Sequence, residues 1–241
     1  MGLKDLFSSS GRAKNRLDKW TKTATSPYTQ SAERYDAMQN LIKEGSDEAL
    51  FRIFKRFTIV STKSIEDEEE KSWAYRELSG LGAKVLPAAK RFCLESENVA
   101  WALRIIEDVA DEAQEWDILD ALLEKHPPGY ERDPAKKQQI LTHLAEIDDP
   151  KVHELLAGYL EDHDEGVRFF CVEQLVDIAE EGSKGPLVAR LTNPEEDSLR
   201  LRTRILDGLA ELKWDVSEHK EAIAKVIGQE HALQGGKIVK R

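Results

Sequence analysis

The sequence predicts an all-α protein, an α-solenoid of about six helical hairpins with a flexible N-terminal segment. Three observations carry that prediction: helix-period apolar patterns running from Ser31 to Gly228, a short motif returning at near-constant spacing, and second helices that superpose on one another at the same offsets.

The motif is a pair of apolar residues three apart, followed by a small residue. It reads Tyr75-Arg-Glu-Leu78-Ser79, Ile106-Glu-Asp-Val109-Ala110, Leu141-Thr-His-Leu144-Ala145, Leu175-Val-Asp-Ile178-Ala179 and Leu206-Asp-Gly-Leu209-Ala210, with Met38-Gln-Asn-Leu41-Ile42 as a looser first copy. The last positions fall at intervals of 37, 31, 35, 34 and 31 residues, the period of a two-helix repeat. An offset of 35 superposes Leu50, Phe51, Phe54 and Phe57 on Val85, Leu86, Ala89 and Phe92, and a further 67 carries Val85, Ala89, Phe92 and Cys93 onto Val152, Leu156, Tyr159 and Leu160. Each set covers one apolar arc of roughly 160°. A hairpin with one such layer buries it only by stacking on the next, hence a pile of hairpins.

Punctuation supports the same register. Asp133-Pro134, Asp149-Pro150 and Asn193-Pro194 place a capping side chain before a proline at a first helical position, and Ser46, Ser96 and Ser217 precede first turns rich in acids. The joints Thr58 to Glu66 and His126 to Asp133 are expected as irregular loops, and the Gly80 and Gly182 regions as turns with glycine at left-handed caps. The resulting division is residues 1–30 as a flexible basic lead-in holding at most one short amphipathic helix, 31–228 as the repeat array, and 229–241 as a short basic tail.

The copy Val167-Arg168-Phe-Phe-Cys171-Val172-Glu-Gln-Leu175-Val-Asp-Ile178-Ala179 resembles the first helix of a HEAT repeat, which reads valine-arginine, two small residues, then leucine and isoleucine three apart. Elsewhere the match is partial, with Val99, Pro134 and Leu199 at the place of Arg168. The resemblance covers about six repeats over residues 31–228. It implies second helices that line a concave, partner-binding surface, and it speaks to fold more than to activity.

The net charge of -11 is uneven: residues 1–25 carry +4, the stretch from Ala232 carries +3, and the body between them is near -18. So negative a body repels phosphate backbones, which argues against general nucleic-acid binding. Two cysteines, no metal-ligand spacing among six histidines and no 18-residue apolar run argue against a disulfide framework, a metal or other cofactor, and a transmembrane segment. The expected location is cytoplasmic and the expected state monomeric. Leu3, Leu6, Phe7, Ala13, Leu17 and Trp20 lie on one side of a hypothetical basic helix, a weak anchor in residues 3–20 for a membrane surface or a partner.

Cys171 and Cys93 sit at core positions and are read as packing residues. Asp162-His-Asp164-Glu-Gly166 lacks the spacing of a calcium loop and is read as a helix cap. Glu66-Asp-Glu-Glu-Glu70 is read as a solvated first turn.

The candidate partner-binding residues lie on the outward arcs of the second helices. Arg52, Lys55, Arg56, Lys84, Lys90 and Arg91 are expected to cluster in the first two; Asp117, Asp120, Glu124, Glu154 and Glu161 follow in the next two, so that the surface changes sign and orients a partner of matching polarity. The leading functional expectation is a non-enzymatic protein-interaction scaffold. The alternative is an enzyme of the alkylpurine DNA glycosylase kind, also HEAT-like, with Trp101 or Trp116 near Asp117 or Asp120 in stacking and catalytic roles; the acidic charge opposes it.

Overall fold

A computed structural model describes residues 9–241. The described chain is 71% helical, with 13 α-helices and one two-stranded sheet at its end. The described residues divide into two compact units, the first ending at Leu123 and the second running from Glu124 to Arg241.

In the first unit, α1 (Ser9–Ala24) precedes three hairpins. α2 (Ser31–Glu44) pairs with α3 (Asp47–Phe54), which tightens into a 3-10 turn over Lys55–Thr58. α4 (Ser64–Ser79) is followed by α5 (Leu86–Glu95) after a 3-10 turn over Gly82–Val85, and α6 (Ala100–Val109) by α7 (Glu112–Lys125), whose last two residues belong to the second unit. First helices pack on first helices, α2 on α4 and α4 on α6, while α3 packs on α5. The expected repeat arcs form the interface: Leu41, Leu50, Phe54, Leu78, Val85, Ala89 and Cys93 are wholly buried. Phe54 stacks on Phe92 at 5.3 Å and Phe57 on Trp101 at 5.5 Å.

The second unit repeats the scheme with α8 (Ala135–Ala145) and α9 (Lys151–Gly158), α10 (Glu165–Ile178) and α11 (Lys184–Thr192), then α12 (Leu199–Leu212) and the single turn α13 (Lys220–Ile223). α8 packs on α10 and α10 on α12. α12 runs close against α10 at Gly208, where an added Cβ would collide with the Cγ2 of Val176. Gly208→Ala is therefore expected to cost about 1–3 kcal/mol by overpacking, read as a lower urea midpoint at unchanged slope.

Several boundaries differ from expectation. Residues 9–24, expected within a flexible lead-in, form a 16-residue helix that seats Leu17 and Ala24 in the core and packs on α2. The part of the anchor formed by Leu3, Leu6 and Phe7 lies outside the described residues. Ser46, Asp164 and Ser198 cap helices with their side chains, whereas Asn193 closes only a turn, and α12 starts six residues later. Left-handed caps occur at Gly45 but also at Ala179 and Lys213, where a Cβ makes that conformation cost about 1 kcal/mol each.

The tail expected over 229–241 is instead a β-hairpin. β1 (His231–Gln234) pairs antiparallel with β2 (Lys237–Lys240) around Gly235-Gly236, both at positive φ (56° and 82°), the two-residue turn that matches strand twist. β2 lies on α12, burying Ile238, and Asp207 of α12 binds both His231 Nε2 at 2.9 Å and Lys240 Nζ at 2.8 Å.

Candidate functional site

Three of the six predicted cations of the first two hairpins, Arg52, Lys55 and Arg91, meet around Phe51 and Glu48. Glu48, in the first turn of α3, accepts from Arg52 Nε at 2.7 Å and from Arg91 Nη1 at 2.8 Å, so one carboxylate joins α3 to α5. Burial acts to raise the Glu48 pKa; hydrogen bonds from Arg91 and Arg52 outweigh it and hold the carboxyl below the usual range. Arg52 also reaches Asp18 of α1 at 2.6 Å. Arg91 lies over the Phe51 ring at 3.8 Å, with Lys55 Nζ 5.0 Å from the same ring, two cation–π contacts on one aromatic. One helix further, Lys90 donates to Asp117 Oδ2 at 2.5 Å. These bonds place α3, α5 and α7 on one charged face.

Within that face the residues differ in what they offer. Lys55 and Lys84 are exposed and have no ion-pair partner among the described residues, and Arg91 is 46% exposed despite its two carboxylates. Asp117 is 70% exposed and Asp120 exposed, so the sign does change between α5 and α7. In the second unit Glu124 and Glu154 are exposed, and Glu161 accepts from Arg190 Nη1 at 3.3 Å.

Arg56 departs from the expected arrangement. Expected on the outward arc, it is fully buried, because the 3-10 turn after Phe54 rotates it off the α-helical arc and into the joint with α4. There its Nε donates to Glu70 at 3.0 Å, Nη2 to Asp67 at 2.5 Å and Nη1 to the Ile59 carbonyl at 3.0 Å. Arg34 grips Glu70 bidentately from α2 at 2.8 and 2.7 Å, and Lys71 holds Asp67 at 2.6 Å. Burial pushes Asp67 upward, but the bonds from Lys71, Arg56 and the Ser61 N–H prevail and bring it to about 2.

The Glu66–Glu70 run is thus only partly solvated. Asp67 and Glu70 are 3% and 0% exposed, and they continue upward the arc on which Ala74 and Leu78 are buried.

The second unit carries a counterpart. Glu196, 1% exposed in the turn before α12, accepts from Arg168 of α10 at 2.9 and 3.2 Å and from Arg190 of α11 at 2.8 Å. Arg168 is the arginine of the valine-arginine motif, so that motif serves to join repeats. A second buried pair, Lys137 to Asp162 at 2.6 Å, closes the loop before α8 onto Gly129.

Cys171 and Cys93 are both wholly buried. Burial, aided by the charge of Asp162, drives the Cys171 thiol far up and away from thiolate. Native protein is expected to leave both cysteines unmodified by a disulfide reagent, with two equivalents reacting after unfolding; a fast native equivalent would show an opening at one of these sites. Asp164 caps α10, accepting from the Val167 N–H at 3.0 Å. Trp116 is 7% exposed and Trp101 lies between Phe57 and Tyr75, so both rings are engaged in packing.

The class that this fold defines is the helical-repeat protein. Residues 130–210, spanning α8 to most of α12, match the family model described as HEAT repeats. No curated protein and no solved structure matches the chain. No described helix is long and apolar enough to cross a membrane.

Proposed function

We propose that the protein is a non-enzymatic interaction scaffold that presents the charged face of α3, α5 and α7 to a protein partner carrying an acidic segment. The observation that supports this most is the disposition of Lys55 and Arg91 on the Phe51 ring: two cations held on an aromatic plate, exposed, and stationed beside a run of acids on α7 that fixes polarity. HEAT repeats are helical repeats often used for protein interaction, which supports the same reading.

Affinity capture from lysate tests it, comparing wild type with Lys55→Glu/Arg91→Glu. A protein recovered by wild type is expected to fall at least about tenfold in the variant, corresponding to loss of one or two charge-assisted contacts. Both side chains are on the surface, so the helical spectrum should be unchanged. Equal recovery by both proteins, or nothing above background, counts against the proposal. Duplex binding that is tight and falls steeply with salt would favour the nucleic-acid alternative instead.

A further inference from the structure

The outward side of α1 carries a row of cations that the fold leaves unanswered. α1 packs on α2 and α3, with Leu17 and Ala24 buried and Ala13 and Trp20 half-buried on the inner side. At 100° per residue that orientation turns Arg12, Arg16, Lys19 and Lys22 outward within an arc of about 120°, with Lys14 on its flank. All five are exposed, and none pairs with a carboxylate among the described residues. Asp18, the one acid of α1, is taken by Arg52 of α3 at 2.6 Å. Folding does not call for this row. Arg12 and Arg16, Arg16 and Lys19, and Lys19 and Lys22 are like charges three or four apart, each pair unfavourable to the helix, and the first turn has no acid to meet the dipole. In a chain with 46 acids against 35 Lys and Arg, the stripe also runs counter to the overall charge.

From this we infer that α1 is a docking face for the anionic headgroup surface of a lipid bilayer, met side-on without spanning it. The inference stands independently of the face proposed above. The apolar side holding Ala13, Leu17 and Trp20 is turned toward the core, so the contact that α1 makes is one of charge. The character of the face selects the occupant. It is a straight helix side about 15 Å long from Arg12 to Lys22. None of its exposed residues is apolar, whereas a protein partner needs an apolar centre to its interface and lysine is depleted there. A diffuse sheet of negative headgroups asks only for flexible cations. A nucleic-acid duplex shares that charge, but the sequence directly before α1 holds Leu3, Leu6 and Phe7, which strengthen a basic patch at a bilayer and have no counterpart along a phosphate backbone. The acids of the supporting helices weaken the attraction little. Glu48 is held by Arg52 and Arg91, and Glu44 accepts from Ser46. Glu33, Asp36 and Asp47 sit on helices packed behind α1 at an axial distance of about 8–10 Å, roughly a Debye length at physiological salt.

Cosedimentation of the full chain with vesicles tests it, comparing pure phosphatidylcholine with phosphatidylcholine and phosphatidylserine mixed in a ratio of about seven to three. Binding is expected to be at least about tenfold tighter to the anionic vesicles at low salt, and to fall steeply as salt rises. Each cation at such a surface strengthens binding about fivefold, so Arg12→Gln/Arg16→Gln/Lys19→Gln should weaken it about a hundredfold with an unchanged helical spectrum. Lys213→Gln/Lys220→Gln/Lys225→Gln makes the same change of net charge at exposed positions of the second unit and should bind nearly as wild type does. No binding to the anionic vesicles, equal binding to both compositions, or equal loss in the two triple variants would overturn the inference. Tighter binding to a DNA duplex or to polyglutamate than to the vesicles, lost in the α1 variant, would assign the row to nucleic acid or to an acidic protein segment and overturn it equally.

Discussion

Replacing Arg56 by methionine is expected to destabilise the protein by about 3–5 kcal/mol at neutral pH, the cost of leaving buried carboxylates without their partner. Methionine approximates the volume of the arginine stem, so the loss would come from charge rather than from a cavity. Glu70 keeps Arg34 and Asp67 keeps Lys71, which places the expectation toward the lower end of that range. The pH dependence separates this mechanism from loss of packing. Asp67 is depressed from an ordinary value of 3.8 to about 2, and Glu70 is depressed too: burial alone would raise it, but Arg34, Ser31 and Arg56 lower it further. A carboxyl depressed in the folded state contributes stability that is fully present above its unfolded pKa and is lost as pH falls through the folded one. Wild type should therefore lose stability between about pH 4 and pH 2, with Asp67 alone accounting for about 2 kcal/mol. In Arg56→Met the same carboxyls sit higher, so the gap between the two proteins should narrow as pH falls through that window. Urea unfolding at a series of pH values measures this; a gap constant with pH would assign the loss to packing.

What the sequence disclosed and what it hid divide along a physical line. The repeat was legible because burial of Leu41, Leu78, Ile106, Leu144, Leu175 and Leu209 requires apolar side chains at fixed helical phase, and phase is written in residue type. The buried ions were not, because the same arc can be extended by charged residues if a partner arrives from another helix. Asp67, Glu70 and Lys71 follow the phase of Ala74 and Leu78, a signal that was present, yet their partners Arg34 and Arg56 lie on different elements, and only folding brings them together. Arg56 was misplaced for a related reason. An α-helical projection assumes 3.6 residues per turn, and the chain tightens to 3-10 geometry at Lys55. The hairpin at the end carried a local signal, Gly235-Gly236 between short apolar alternations, masked by the basic composition of the segment. Lys55, Lys84 and Arg91 were correctly placed on the surface, since long cationic side chains on an outward arc need no partner to be stable there.

Glu196→Gln in the second unit is expected to cost about 3–5 kcal/mol, and unlike the Arg56 change it offers the protein no escape by protonation. One carboxylate serves two guanidiniums there. Arg168 is 7% exposed and Arg190 6%, and the amide that replaces Glu196 keeps its shape but neutralises neither. Arginine does not deprotonate in proteins, so both charges stay buried at every accessible pH. The loss relative to wild type should then persist undiminished from about pH 9 down to pH 5, and shrink only where wild-type Glu196 itself takes up a proton. That point lies below the ordinary glutamate range: burial raises the group, but the Ser198 N–H, Arg168 and Arg190 lower it by more. A second substitution sharpens the assignment. Adding Arg190→Met to Glu196→Gln removes one of the two buried cations, the one left with only the exposed Glu161 at 3.3 Å, and should restore part of the stability, a rescue that a purely steric defect at residue 196 would not give. Thermal and urea unfolding of the single and double variants measure it. No recovery in the double variant would mean that Glu196 holds the α10–α12 joint chiefly by its bond to the Ser198 N–H, and that the arginines are stable where they lie without it.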